Sequence, residues 1–134
     1  MSLSENLIVE ELSPFVDPRG TVYEPIEGPE LALQGGVHVV VTEPGHIRGN
    51  HLHPRGREIC VVTGPALVRV REVGGVRDTL VSDGTIVRFT FPPGMPHAIQ
   101  NTGNKPHVLV SFNTVAYDPE CPDLERDLLI PPPS

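Results

Sequence analysis

"GNHLHPRGREI", residues 49–59, sets two histidines two positions apart, follows them with a Pro-Arg-Gly break, and closes on a glutamate that opens an apolar run. On a strand, residues two apart share a face at a spacing of about 6.8 Å, so His51 and His53 can point into one cavity as co-ligands. The pair alone is compatible with a structural role as well as with a metal. Pro54 and Gly56 end the strand and Glu58 begins another, from which an adjacent antiparallel strand would bring a carboxylate to the same cavity. Downstream, "PPGMPHAIQN" (92–101) sets His97 just after a Pro-Gly turn, at the start of a further strand. Three imidazoles and one carboxylate suit zinc, iron, manganese or nickel.

The surroundings of this stretch are strand-like throughout. With 16 prolines and 13 glycines among 134 residues, no segment of helical length keeps a clean period, so helix is a minor component. Between the breaks lie "VHVVVT" (37–42), "EICVVT" (58–63), "ALVRVREV" (66–73), "TIVRFTF" (85–91), "HAIQN" (97–101) and "HVLVSFN" (107–113), runs rich in the β-branched residues that favour strands. Short strands joined by Gly/Pro turns in one domain-sized chain predict an all-β sandwich or barrel. Residues 1–36 read as an N-terminal arm or edge hairpin of that barrel, 37–117 as its core, and 118–134 as a tail with one helical turn before a polyproline end.

Charge limits the partners. A formal net charge of -7 and a pI near 5.2 argue against a nucleic-acid or anionic-membrane binder. Any anion must be met locally, and nine of the ten basic residues are arginines, which grip phosphate and carboxylate bidentately; Lys105 is the exception. Cys60 and Cys121 are too few for a disulfide framework and read as free thiols. No leader-like start and no apolar run of membrane-spanning length is visible, which predicts a cytoplasmic protein.

The two histidine segments resemble the two motifs of the cupin superfamily. Gly45, His51, His53, Glu58 and Gly64 follow the first, with five residues in place of six before the last glycine; Pro92, Gly94, His97 and Asn101 follow the second, whose leading glycine, Gly84, stands two residues too far upstream. This resemblance implies a single-domain double-stranded β-helix, the jelly-roll barrel of cupins, with His51, His53, Glu58 and His97 as the ligands of one divalent metal, zinc before iron, manganese or nickel. "RGNHLH" (48–53) is similar to the start of the cupin domain in bifunctional capsular-polysaccharide sugar-nucleotide enzymes and, more distantly, to a segment of the deoxysugar-nucleotide 3,5-epimerases. "DPRGTVYE" (17–24) resembles the arm of those epimerases, and "FNTVAYDPECPD" (112–123) the segment after the last barrel strand of the capsular family.

That closer resemblance implies an epimerase or isomerase of nucleotide-linked keto sugars in polysaccharide or deoxysugar synthesis, in which a proton leaves the carbon beside a keto group and returns on the other face. Arg48, Arg19 and Asn50 are the candidates for substrate binding, the arginines for the diphosphate. A metal-bound histidine has its lone pair engaged, so proton transfer falls to His38, His46, His107, Tyr23 or Tyr117, with Tyr117 and His107 put forward. In the nonmetal 3,5-epimerases the corresponding histidine is itself the base, which leaves His51 open between ligand and base. Cys60, two residues after Glu58, shares its inward face either as a small buried side chain or near the metal, and Arg69 and Arg71 share one face of their strand, toward solvent, a partner or substrate. Two other readings stand beside this one: a mononuclear iron oxygenase acting on a small acid or diketone, and a noncatalytic sugar or metabolite binder, which the absence of tryptophan disfavours. Cupin resemblance and the proline-rich arm imply a homodimer in which residues near 7–24 pair with a neighbouring sheet edge.

Overall fold

A computed structural model describes residues 6–133; Met1–Glu5 of the expected arm and Ser134 of the tail lie outside the described residues. The elements run β1 (Ile8–Glu11), β2 (Phe15–Asp17), β3 (Gly20–Val22), α1 (Gly28–Leu31), β4 (Gly36–Thr42), β5 (Ile47–Leu52), β6 (Glu58–Thr63), β7 (Ala66–Glu72), β8 (Gly75–Val81), β9 (Ile86–Phe91), β10 (His97–Asn101), β11 (His107–Asn113) and β12 (Glu125–Arg126). One sheet has the order β1-β9-β6-β11-β4 and the other β12-β5-β10-β7-β8, with β2 and β3 forming a separate hairpin. Every strand pairing is antiparallel. This is the jelly-roll arrangement of a cupin.

The apolar runs explain the layers. Inward residues of both sheets, among them Cys60, Val62, Val68, Val70, Phe89 and Phe91, form the main core. β6 is buried on both faces: Ile59 and Val61 look the other way and lie under Leu12, Tyr23 and Ile26 of the N-terminal segment. The outer face of the second sheet is covered in turn by the tail, where Leu129 and Ile130 pack on Ile47, Leu67 and Ala98. Each terminus therefore roofs one sheet, removing from water apolar side chains that would otherwise be exposed.

Three expectations change, and one strand goes unforeseen. Glu58 does not reach the histidines from a neighbouring strand, because β6 lies between β9 and β11 while β5 lies between β12 and β10; the carboxylate comes across the barrel from the opposite sheet. The tail forms no helical turn, since residues 125–126 pair with β5 and Asn50 accepts the N–H groups of Asp127, Leu129 and Ile130 in extended chain. The first strand of the arm pairs with β9 of its own chain. A strand at 75–81 escapes a reading by apolar pattern because it is a largely exposed edge carrying Arg77 and Asp78.

Candidate metal and substrate site

The histidines come together because β5 is irregular. Its register with β10 runs His97↔His51 and then Ala98↔Gly49, so Asn50 is an extra, bulged residue. Gly49 and Asn50 both have positive φ, 88° and 57°, a conformation that glycine adopts freely and asparagine tolerates better than most residues. A bulge inverts the alternation of faces beyond it, so Arg48, His51 and His53 all line one cavity despite their uneven spacing. The Asn50 amide points away from the cavity: it donates to the Ile130 carbonyl and accepts from Leu129 and Ile130 N–H. The expectation that Asn50 binds substrate gives way to this role as anchor of the tail.

Donor atoms of His51, His53, Glu58 and His97 lie within 4.8 Å of one another. His97 is 1% exposed, its ring stacked on Phe91 with centroids 4.1 Å apart, and Nδ1 faces the Met95 carbonyl at 3.0 Å. His53 Nδ1 likewise faces the Asp123 carbonyl at 2.8 Å. A ring nitrogen opposite a carbonyl carries the proton, which leaves both Nε2 atoms to face Glu58. Glu58 Oε2 lies 3.1 Å from His53 Nε2 and Oε1 2.7 Å from His97 Nε2. That last contact is too poorly aligned for a hydrogen bond, so a buried imidazole nitrogen aims into the cavity with its bonding capacity unused. An orphaned nitrogen beside a buried carboxylate and two further imidazoles is the donor set that a divalent ion satisfies.

The charges fit the same picture. Burial acts to raise the Glu58 pKa, but the hydrogen bond from His53, the close approach of His97 Nε2 and the charge of the two imidazoles overcome it and hold the carboxyl well below its usual range. Burial also acts to lower His53, and the hydrogen bond and charge of Glu58, with the Asp123 carbonyl, outweigh it and raise the imidazole. His51 is pushed down to about 4, first by burial and then by His97. Cys60 is buried, with Sγ 3.4 Å from Glu58 Oε1; burial pushes its thiol up, and the Glu58 charge adds to this, so it stays protonated as a small core residue.

The cavity, of about 300 Å³, is lined near its base by the four donors and along its walls by Val40, Ile99 and Leu109. Of the residues put forward for proton transfer, His38 and Tyr117 line it, and Tyr117 is 72% exposed at the rim. His107 does not fit that role. It is buried on β11 six residues from Asn113, the residue paired with Glu58, and six strand residues span about 20 Å. Tyr23 packs beneath the outer face of the first sheet, and His46 is absent from the lining. Arg48 lines the cavity while bridging the sheets, donating to the Val41 carbonyl at 2.7 Å and to Thr42 Oγ1 at 3.3 Å. Arg19 does not line it, and its guanidinium is ion-paired to Asp17 on the hairpin. Arg69 and Arg71 are taken up by Asp78 and Asp127.

Two residues of the tail were not singled out by pattern. Asp123 is one. The other is Arg126, directly opposite His51 in the β12–β5 ladder and hence on the same face; its charge helps to depress His51, and its guanidinium has no hydrogen bond or ion pair among the described residues. Nothing in the local sequence reveals them, because their significance depends on the tail folding back onto β5.

The barrel, with histidines and a glutamate aimed inward at one end, has the fold and donor arrangement of a cupin. Residues 15–124 match the polysaccharide biosynthesis C-terminal domain family, and the chain belongs to that family. Comparison with curated proteins returned no match. Among solved structures, the capsular polysaccharide assembling protein CapF from Staphylococcus aureus is 27% identical at a TM-score of 0.65 over 88% of this chain and 34% of that one. This chain thus spans about a third of CapF. QdtA, a sugar 3,4-ketoisomerase from Thermoanaerobacterium thermosaccharolyticum solved with TDP, shares the fold at TM-score 0.70 with 18% identity, covering 93% of this chain and 90% of that one. ChmJ, a 3'-monoepimerase from Streptomyces bikiniensis solved with dTDP-quinovose, does so at 0.74 with 19% identity, over 94% and 71% of the two chains. No helix among the described residues is long and apolar enough to cross a membrane.

Proposed function

We propose that this chain is a metal-binding cupin that epimerises or isomerises a nucleotide-linked keto sugar for polysaccharide or deoxysugar synthesis. The observation that carries the reading is the convergence of four buried or half-buried donors, one an unpartnered imidazole nitrogen, at the base of a cavity in a chain of the polysaccharide biosynthesis family. His51, His53, Glu58 and His97 hold the ion, zinc before iron, manganese or nickel. When bound, a divalent ion supplies Lewis acidity toward an oxygen that gains charge as a proton leaves the carbon beside it.

The chain's own residues supply the rest. Val40, Ile99 and Leu109 keep water from the reacting sugar, His38 and Tyr117 are the proton carriers that face the cavity, and Arg48, which lines it, and Arg126, opposite His51 in the β12–β5 ladder, are the cations for the diphosphate. The cavity volume lies at the low end for ligand pockets and suits a sugar ring, with diphosphate and base at the mouth. A cytoplasmic homodimer accords with a nucleotide-sugar substrate and with the apolar outer side of β4, where Val37, Val39 and Val41 are exposed on an edge strand.

Metal analysis of the purified chain tests the reading. About one divalent ion per chain is expected, and none after His97→Ala, because removing the innermost imidazole opens the donor set. A wild-type chain that carries no ion and takes up none in titration contradicts it.

A further inference from the structure

The tail does more than roof the second sheet. Asp123 accepts His53 Nδ1–H on its main-chain carbonyl at 2.8 Å. Its carboxylate accepts the Arg55 N–H at 3.0 and 3.2 Å, the Gly56 N–H at 2.7 Å and Arg55 Nε–H at 3.4 Å. The side chain is 9% exposed, so these bonds face little competition from water. Residues 54–57 are the turn that joins His53 to Glu58. One tail residue therefore clasps both the imidazole and the turn that sets its separation from the carboxylate.

His53 depends on this clasp in a way the other two imidazoles do not. His97 takes its carbonyl from Met95, two residues away in its own turn, and is stacked on Phe91. His51 sits within the β5 ladder. His53 lies beyond the end of β5, and the carbonyl that fixes its ring comes from a residue 70 positions downstream. Held this way, Nδ1 donates to the Asp123 carbonyl and Nε2 is left toward the cavity, where it donates to Glu58 Oε2 at 3.1 Å in the metal-free protein and is the nitrogen that can take an ion in its place.

We propose that Asp123 is a positioning residue that fixes the orientation of His53 for metal binding, so that the C-terminal segment is part of the site. The inference rests on the metal-binding reading above. Two full-length variants test it: Asp123→Ala, which removes the two carboxylate oxygens that clasp the 54–57 turn and leaves the main-chain carbonyl unanchored, and Asp123→Asn, which keeps one of them. The first readout is affinity for zinc, and for cobalt as a spectroscopic probe, by competition with a chromophoric chelator. Weakening by roughly 10- to 100-fold is expected for alanine, with an altered cobalt spectrum and partial recovery in asparagine. The second readout needs no metal: the protection of the His53 Nδ1–H proton from solvent exchange in the metal-free protein, expected in wild type and lost in Asp123→Ala as the carbonyl shifts away. If the alanine variant binds metal as tightly as wild type with the same spectrum, or keeps the wild-type protection, the proposal is overturned while the metal reading stands. If wild type takes up no metal, that reading falls and the exchange comparison still decides whether Asp123 positions His53. Should the alanine chain fail to fold, the asparagine chain decides on both readouts: weaker binding or lost protection supports the proposal, and wild-type values for both overturn it.

Discussion

His51 carries a testable electrostatic signature. Its pKa is pushed down to about 4 by burial and by His97, so the folded metal-free protein disfavours the protonated imidazole that the unfolded chain accepts near 6.5. Stability from this source is complete above about 6.5 and declines as pH falls toward 4. His53, raised instead, contributes fully throughout that interval and loses its share only as pH rises through its folded value; Glu58, depressed, loses its share only below the usual carboxylate range. The melting temperature of metal-free protein is therefore expected to drop from pH 6.5 to 4, and His51→Gln to flatten that drop. An unchanged slope in His51→Gln contradicts the assignment. The four donor candidates were legible in the sequence because cupin-like spacing is local. The task of Asn50 was not, because which face a residue occupies beyond a bulge is set by backbone torsion.

The bulge in β5 is the element on which the site turns. Gly49 has φ near 88°, and a Cβ there would meet the His97 carbonyl oxygen at 2.7 Å and the Ala98 Cα at 3.2 Å. Gly49→Ala must strain the backbone or push β5 from β10, which separates His51 from His97. A loss of stability of about 1 to 3 kcal/mol is expected, with weaker metal binding, by thermal melts and chelator competition. Wild-type values for both would mean that the strand tolerates the shift and that the bulge does not set the spacing. The run 58–63 became a strand because buried β-branched residues dominate it, and 107–113 because its alternation buries Leu109 and Ser111 on one face while Val108 and Val110 lie on the other. β12 could not be read from the tail: two exposed residues, Glu125 and Arg126, form a strand only because β5 offers an unpaired edge.

At the scale of the whole molecule, an all-β single domain follows from the spacing of turns and apolar runs, whereas the crossing of Glu58 from the opposite sheet is a property of topology that no local pattern encodes. The same topology leaves β4 as a seven-residue edge strand with Val37, Val39 and Val41 exposed, and the β2–β3 hairpin with Phe15, Val16 and Val22 exposed. Such surfaces favour pairing with a second copy. Val39→Lys, at a position 68% exposed, is expected to shift the protein from dimer to monomer by light scattering with little loss in the monomer's stability; a wild-type monomer at micromolar concentration contradicts the dimer. The central claim, that the clustered histidines and glutamate serve proton exchange on a nucleotide-linked keto sugar, is tested most directly in deuterated water. Mass spectrometry of nucleoside-diphosphate 4-keto sugars incubated with the protein should show solvent deuterium at carbon beside the keto group, lost after chelation and restored by a divalent ion. Absence of exchange across these sugars in the metal-loaded protein, or exchange that persists unchanged in chelated protein shown to hold no metal, contradicts it.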